Sequence, residues 1–129
     1  MKPFAITGLL LLLSLPCSAH SGEREESARL ALEYGGRAEV VMDDGTRCDI
    51  ITAFYAIEVE WANKWAEAIG QSLHYASRSN KQPAIILITH NPRKDWRHIM
   101  RCSYLCGKLS IKLYIEPLTS PSPPEPPHD

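Results

Sequence analysis

The sequence predicts an α/β chain of the α+β kind, in which helices cover a mixed sheet in the order α-β-β-β-α-β-α-β. Three observations carry this prediction. Three short apolar runs follow one another between 37 and 61, and Asp43-Asp44-Gly45 joins the first two; Asp-Gly between apolar runs favours a hairpin. Ala84-Ile85-Ile86-Leu87-Ile88 is apolar without interruption, the pattern of a strand covered on both faces. Trp65, Ile69, Leu73 and Ala76 recur at helical spacing just before that run. A meander followed by strand–helix–strand units closes into one mixed sheet.

The elements follow in order. Glu23 to Tyr34 reads as a helix with acidic residues in its first turn, Leu30 and Tyr34 on one face, and Gly35-Gly36 as its stop. Arg37 to Met42 and Thr46 to Thr52 are the hairpin strands. Ala53-Phe54 turns the chain into a third strand, Tyr55 to Trp61. A helix is expected over Ala62 to Arg78 and a buried central strand over Pro83 to Thr89. Pro92 suits the first turn of a helix reaching Cys106. Ile111 to Ile115 alternates as a final strand would.

The ends of the 129-residue chain read differently from its middle. Lys2, the apolar stretch Phe4 to Leu15 and the small residues Cys17-Ser18-Ala19 have the form of a signal peptide, 1–19, cleaved after Ala19. The apolar run is short for a membrane span, and Pro16 argues against lipid attachment at Cys17. The expectation is a periplasmic or secreted protein with no membrane span in the mature chain. Residues 117–129 are proline-rich, and a disordered tail is expected there. Residues 22–116 remain as one domain, large enough for a single core and too small for two.

Charge is near balance but split. From 20 to 60 there are ten Asp/Glu and four Lys/Arg; from 61 to 112 there are two and nine. The split suits a metal site facing a polyanion, and equally a chain whose halves pair with each other. With Cys17 in the predicted leader, the mature cysteines Cys48, Cys102 and Cys106 are an odd set for disulfides. Cys102 and Cys106 stand four apart on one helix, where an unstrained bridge is difficult; Cys48 could pair with either. No zinc-like spacing, Ser/His/Asp order or phosphate-cradling glycine loop is present.

The chemistry-bearing residues concentrate between Asp49 and Tyr75. Alternation puts Glu58 and Glu60 on one side of the third strand and Ile57, Val59 and Trp61 on the other. A turn at Ala53-Phe54 sets Asp49 opposite Glu58, so three carboxylates are expected close together. Such a cluster is costly unless a cation neutralises it, and Mg²⁺ needs one or two protein carboxylates with water. Lys64, one turn into the next helix, can bring its ammonium back over the same place. The competing reading is a solvent-facing hairpin, for which Ile-Glu-Val-Glu-Trp is the ordinary pattern. Arg93, Arg97 and Arg101 form a stripe on the last helix that can contact phosphates or simply face solvent.

This order and these residues resemble the PD-(D/E)XK nuclease-like superfamily, small exported bacterial members in particular. Its core is α-β-β-β-α-β, with an Asp on the second strand, a Glu-x-Lys signature on the third and, in many members, Gln-x-x-x-Tyr on the following helix. Asp49, Glu58 and Gln71-Ser72-Leu73-His74-Tyr75 match in order. The resemblance implies a restriction-endonuclease-like core and a Mg²⁺- or Mn²⁺-dependent phosphodiester hydrolase acting on DNA or RNA. In that scheme Asp49, Glu58 and the Val59 carbonyl hold the ion, and Gln71 orients the machinery. Glu26, or Glu33, is the first-helix glutamate of some members, and Tyr75 is accessory. The departure is Glu60, which stands where lysine is expected. Either Glu60 serves as the base, or Lys64 supplies the displaced cation. The alternative is a catalytically degenerate nuclease-like domain that binds a protein partner.

Overall fold

The structure is a computed structural model that describes residues 18–118. The remainder of the predicted signal segment and of the proline-rich tail lies outside the described residues. Eight main elements follow in the expected order. They are α1 (Ser18–Glu33), β1 (Arg37–Val41), β2 (Arg47–Ile51), β3 (Tyr55–Trp61), α2 (Trp65–Ser79), β4 (Gln82–Thr89), α3 (Pro92–Leu109) and β5 (Lys112–Pro117). The sheet order is β1-β2-β3-β4-β5. β1, β2 and β3 form an antiparallel meander, while β4 runs parallel to both β3 and β5.

Local chemistry explains most boundaries. α1 closes where Gly35 takes a left-handed conformation (φ +68°) and Gly36 N–H reaches the Ala31 carbonyl at 2.8 Å. The hairpin turn has Gly45 left-handed (φ +83°), and Asp44 Oδ1 accepts from the Thr46 N–H at 3.1 Å and its hydroxyl at 2.6 Å. These bonds, with His74 and Arg78 nearby, hold the Asp44 carboxyl well below the usual range. Asn91 caps α3 by accepting from the N–H groups of Arg93 and Lys94, with Pro92 just inside the helix.

The core lies on both faces of the sheet. Leu30 and Ala31 of α1 pack on Ile50, Ile57, Val59, Ala84, Ile86 and Ile88. Ala68 of α2 and Cys102 and Cys106 of α3 pack on Ile85, Leu87 and Ile111. β4 thus buries alternate residues in opposite directions, which is why its sequence is apolar throughout.

The structure departs from expectation in several places. α1 begins at Ser18 rather than Glu23, so the last two residues of the predicted leader are helical. Ala62–Lys64 is a separate 3₁₀ turn before α2. On α2, Ala76 is buried and Trp65 and Ile69 pack against the core as expected, but Leu73 is exposed, and Ala68, Ser72 and Tyr75 are the other buried residues. α3 continues to Leu109, and β5 takes in Pro117. Among the described residues Cys48, Cys102 and Cys106 are buried free thiols. Cys48 belongs to a separate cluster with Met42, Ile51, Ala56 and Tyr75, away from Cys102 and Cys106, whose sulfurs stand 3.7 Å apart. Among the described residues no helix is long and apolar enough to cross a membrane.

Candidate functional site

A cavity of about 440 Å³ opens beside β2 and β3, lined in part by Asp49, Glu58, Val59, Glu60, Gln71 and Tyr75. β2 and β3 pair at Ile50–Ile57 and Ile51–Ala56. One residue beyond this ladder, the Asp49 side chain replaces a backbone partner: its Oδ2 accepts the Val59 N–H at 2.8 Å. The bond ties the carboxylate to β3 at the cavity wall. A strand residue sends its N–H and C=O to the same side, so the Val59 carbonyl faces the Asp49 side as well.

Glu58 and Glu60 are not on a solvated face. They are only 4% and 5% exposed, since they occupy the sheet face that α2 covers. Gln71 comes down from α2 and, with its amide nitrogen toward the carboxylate, donates to both Glu58 oxygens, 3.3 Å to Oε2 and closer to Oε1. A hydrogen bond to an ionised acceptor is among the stronger kinds and fixes its orientation. Tyr75, one helical turn further on, is buried against the same cavity. Burial, then the charges of Glu58 and Asp49, push its hydroxyl up to about 12. Burial and the same two carboxylates push the Cys48 thiol up to about 12. One pair of charges acting on both groups places Asp49 and Glu58 in one electrostatic neighbourhood.

The third carboxylate behaves differently. Glu60 Oε1 turns back to accept its neighbour's N–H, that of Trp61, at 2.8 Å, and Lys64 Nζ stands 3.8 Å from the same oxygen. Glu60 nonetheless lines the cavity together with Asp49 and Glu58, and Lys64 stands beside it. Among the described residues no group of three or more His, Cys, Asp and Glu side chains is placed to hold a metal ion. Asp49, Glu58 and the Val59 carbonyl are nonetheless an all-oxygen set of two carboxylates and one carbonyl. That chemistry fits a hard divalent cation completed by water.

The first helix supplies a different residue from the one the sequence suggested. Arg24, rather than Glu26, lines the cavity. Glu26 and Glu33 both pair with Arg29, at 2.9 and 3.1 Å, and Arg29 reaches Glu116 of β5 at 3.0 Å. Arg93, Arg97 and Arg101 are exposed on α3 and do not line the cavity.

Glu39, Thr46 and Arg47 complete the wall and were missed. Arg47 pairs with Glu39 at 3.2 Å. Two signals could have found Arg47 and Glu39. Arg47 precedes Asp49 by two residues on one strand and so shares its side, and a hairpin centred on Asp44 sets Glu39 opposite Asp49. Glu39 also holds a left-handed backbone (φ +55°) inside a strand, a conformation that disfavours any side chain and concentrates at functional sites. No family model matches the chain, and no match is found among curated proteins or solved structures.

Proposed function

We propose that the chain is a metal-dependent phosphodiester hydrolase acting on DNA or RNA, with a restriction-endonuclease-like core. The observation that carries this reading is the meeting of Asp49, Glu58, Val59, Gln71 and Tyr75, distributed over two strands and a helix, in one cavity. Asp49, Glu58 and the Val59 carbonyl are the residues to hold Mg²⁺ or Mn²⁺. When bound, the ion supplies charge stabilisation at the scissile phosphate and a more acidic water. Gln71 holds the Glu58 carboxylate in place. Arg24 and Arg47 bring positive charge to the wall, where a phosphate oxygen would gain most. Lys64 beside Glu60 supports the scheme in which the displaced lysine does the work of the missing one, with Glu60 positioning it.

The test is cleavage of plasmid and single-stranded substrates by the purified protein with Mn²⁺. Turnover that D49N and E58Q each abolish would support the assignment. No cleavage with any divalent metal at high protein concentration would overturn it. One observation favours the second reading, a nuclease-like binding domain without catalysis: among the described residues no group of three or more His, Cys, Asp and Glu side chains is placed to hold a metal ion. Calorimetry separates the two, because the binding domain has no need to take up Mn²⁺.

A further inference from the structure

The outward face of α3 is apolar along one row and cationic along the next. Trp96, Met100 and Tyr104 recur at four-residue spacing and are 54%, 59% and 67% exposed. The opposite side of the helix is the buried one, where Cys102 and Cys106 meet the sheet. Arg93, Arg97 and Arg101 form the adjoining row, with Lys94 and Lys108 near its ends. The two rows interleave: the Arg97 guanidinium lies 5.6 Å from the Trp96 ring centre, and the Lys108 ammonium 5.6 Å from that of Tyr104. Asp95, the lone carboxylate of α3, is half-buried and accepts the Thr89 hydroxyl at 2.5 Å. It is drawn toward β4 and away from the cationic row.

We infer that this face docks on an anionic phospholipid surface. A helix of 18 residues is about 27 Å long and can lie flat on a bilayer. Trp and Tyr favour the boundary between headgroups and acyl chains, and Met100 between them reaches hydrocarbon. Five cations beside this apolar row complement anionic headgroups. A nucleic acid fits the same charge less well. Residues eight apart place the two rings about 12 Å apart along the axis, so they form no continuous stacking platform, and the thioether between them gains nothing from a phosphate. The inference does not rest on the cavity or its chemistry.

The test uses the full chain with vesicles of brominated phosphatidylglycerol and phosphatidylcholine, against vesicles of brominated phosphatidylcholine alone. Tryptophan emission should be quenched by the anionic vesicles, little by the neutral ones, and the quenching should be lost in W96F. R97E/R101E should partition at least about tenfold more weakly at low salt, with an unchanged circular dichroism spectrum. Reading the signal at Trp96 separates docking by α3 from attachment through another part of the chain. Full quenching in W96F, or none with anionic vesicles at low salt, would overturn the inference. So would binding of a single-stranded oligonucleotide that R97E/R101E abolishes while vesicles are ignored.

Discussion

Asp49 has two roles on one side chain. Its charge faces the cavity, and its Oδ2 is the partner of the Val59 N–H where β2 and β3 separate. Asparagine keeps an acceptor there and alanine keeps none. Loss of an outer partner alone costs a metal site about 10–100-fold in affinity, so D49N should weaken Mn²⁺ binding by at least that much in calorimetry. D49A should also lose about 1–3 kcal/mol in urea denaturation, because a backbone donor is left unpaired. Wild-type Mn²⁺ affinity in D49N would make Asp49 a structural acceptor and remove the metal scheme. Gln71 is the outer partner of Glu58, and Q71A should cost about 10–100-fold in Mn²⁺ affinity and about 1–3 kcal/mol in stability, because the buried Glu58 carboxylate loses a donor.

Two element boundaries differ in what they tolerate. A Cβ on Gly36 would stand 2.7 Å from Ile50 Cγ2 and 2.8 Å from the Ile51 carbonyl oxygen. The second contact is backbone and cannot rotate away, so α1 and β2 would have to separate. G36A should therefore destabilise by about 1–3 kcal/mol, as overpacking does. The end of α3 has the opposite defect. Ser110 caps it in a left-handed conformation (φ +55°) with its N–H on the Cys106 carbonyl, a position that favours glycine. S110G should raise stability by about 0.5–1 kcal/mol, read as a shift of the urea midpoint without a change of slope.

At the scale of the whole molecule, the core makes the fold alkali-sensitive. Burial pushes Cys48 and Cys102 from 9.0 up to about 12, raises Cys106, and moves Tyr75 from 10.0 to about 12. In each case the folded state holds its proton longer than the unfolded one. The stabilisation is complete below pH about 9 and is lost as pH rises toward 12. Denaturation midpoints should be nearly level from pH 7 to 9 and fall beyond, with a shallower fall in C102A/C106A. An equally steep fall in that variant would show that the buried thiols do not control the alkaline limb.

The element order, the hairpin turn, the central place of Ala84 to Ile88 and the nearness of Asp49 to Glu58 were legible in the sequence by itself, whereas Gln71 and Tyr75 were tied to them only by resemblance to a nuclease-like signature. Each legible feature is written in a short-range pattern: a two-residue alternation, a helical spacing, or a glycine where the backbone must turn left-handed. Only the tertiary structure decided which face is covered. Ile-Glu-Val-Glu-Trp says that Glu58 and Glu60 share a side, but α2 packing on that side is what buries them. The same packing left Leu73 facing out and Tyr75 facing in, while Trp65, Ile69 and Ala76 met the core as their spacing suggests. The tertiary structure also sets Glu60 against the Trp61 N–H and Lys64, and puts Arg24 rather than Glu26 of α1 at the cavity. Alternation and helical spacing describe one element at a time, whereas orientation follows from the sum of many weak contacts over two surfaces, which no single segment encodes.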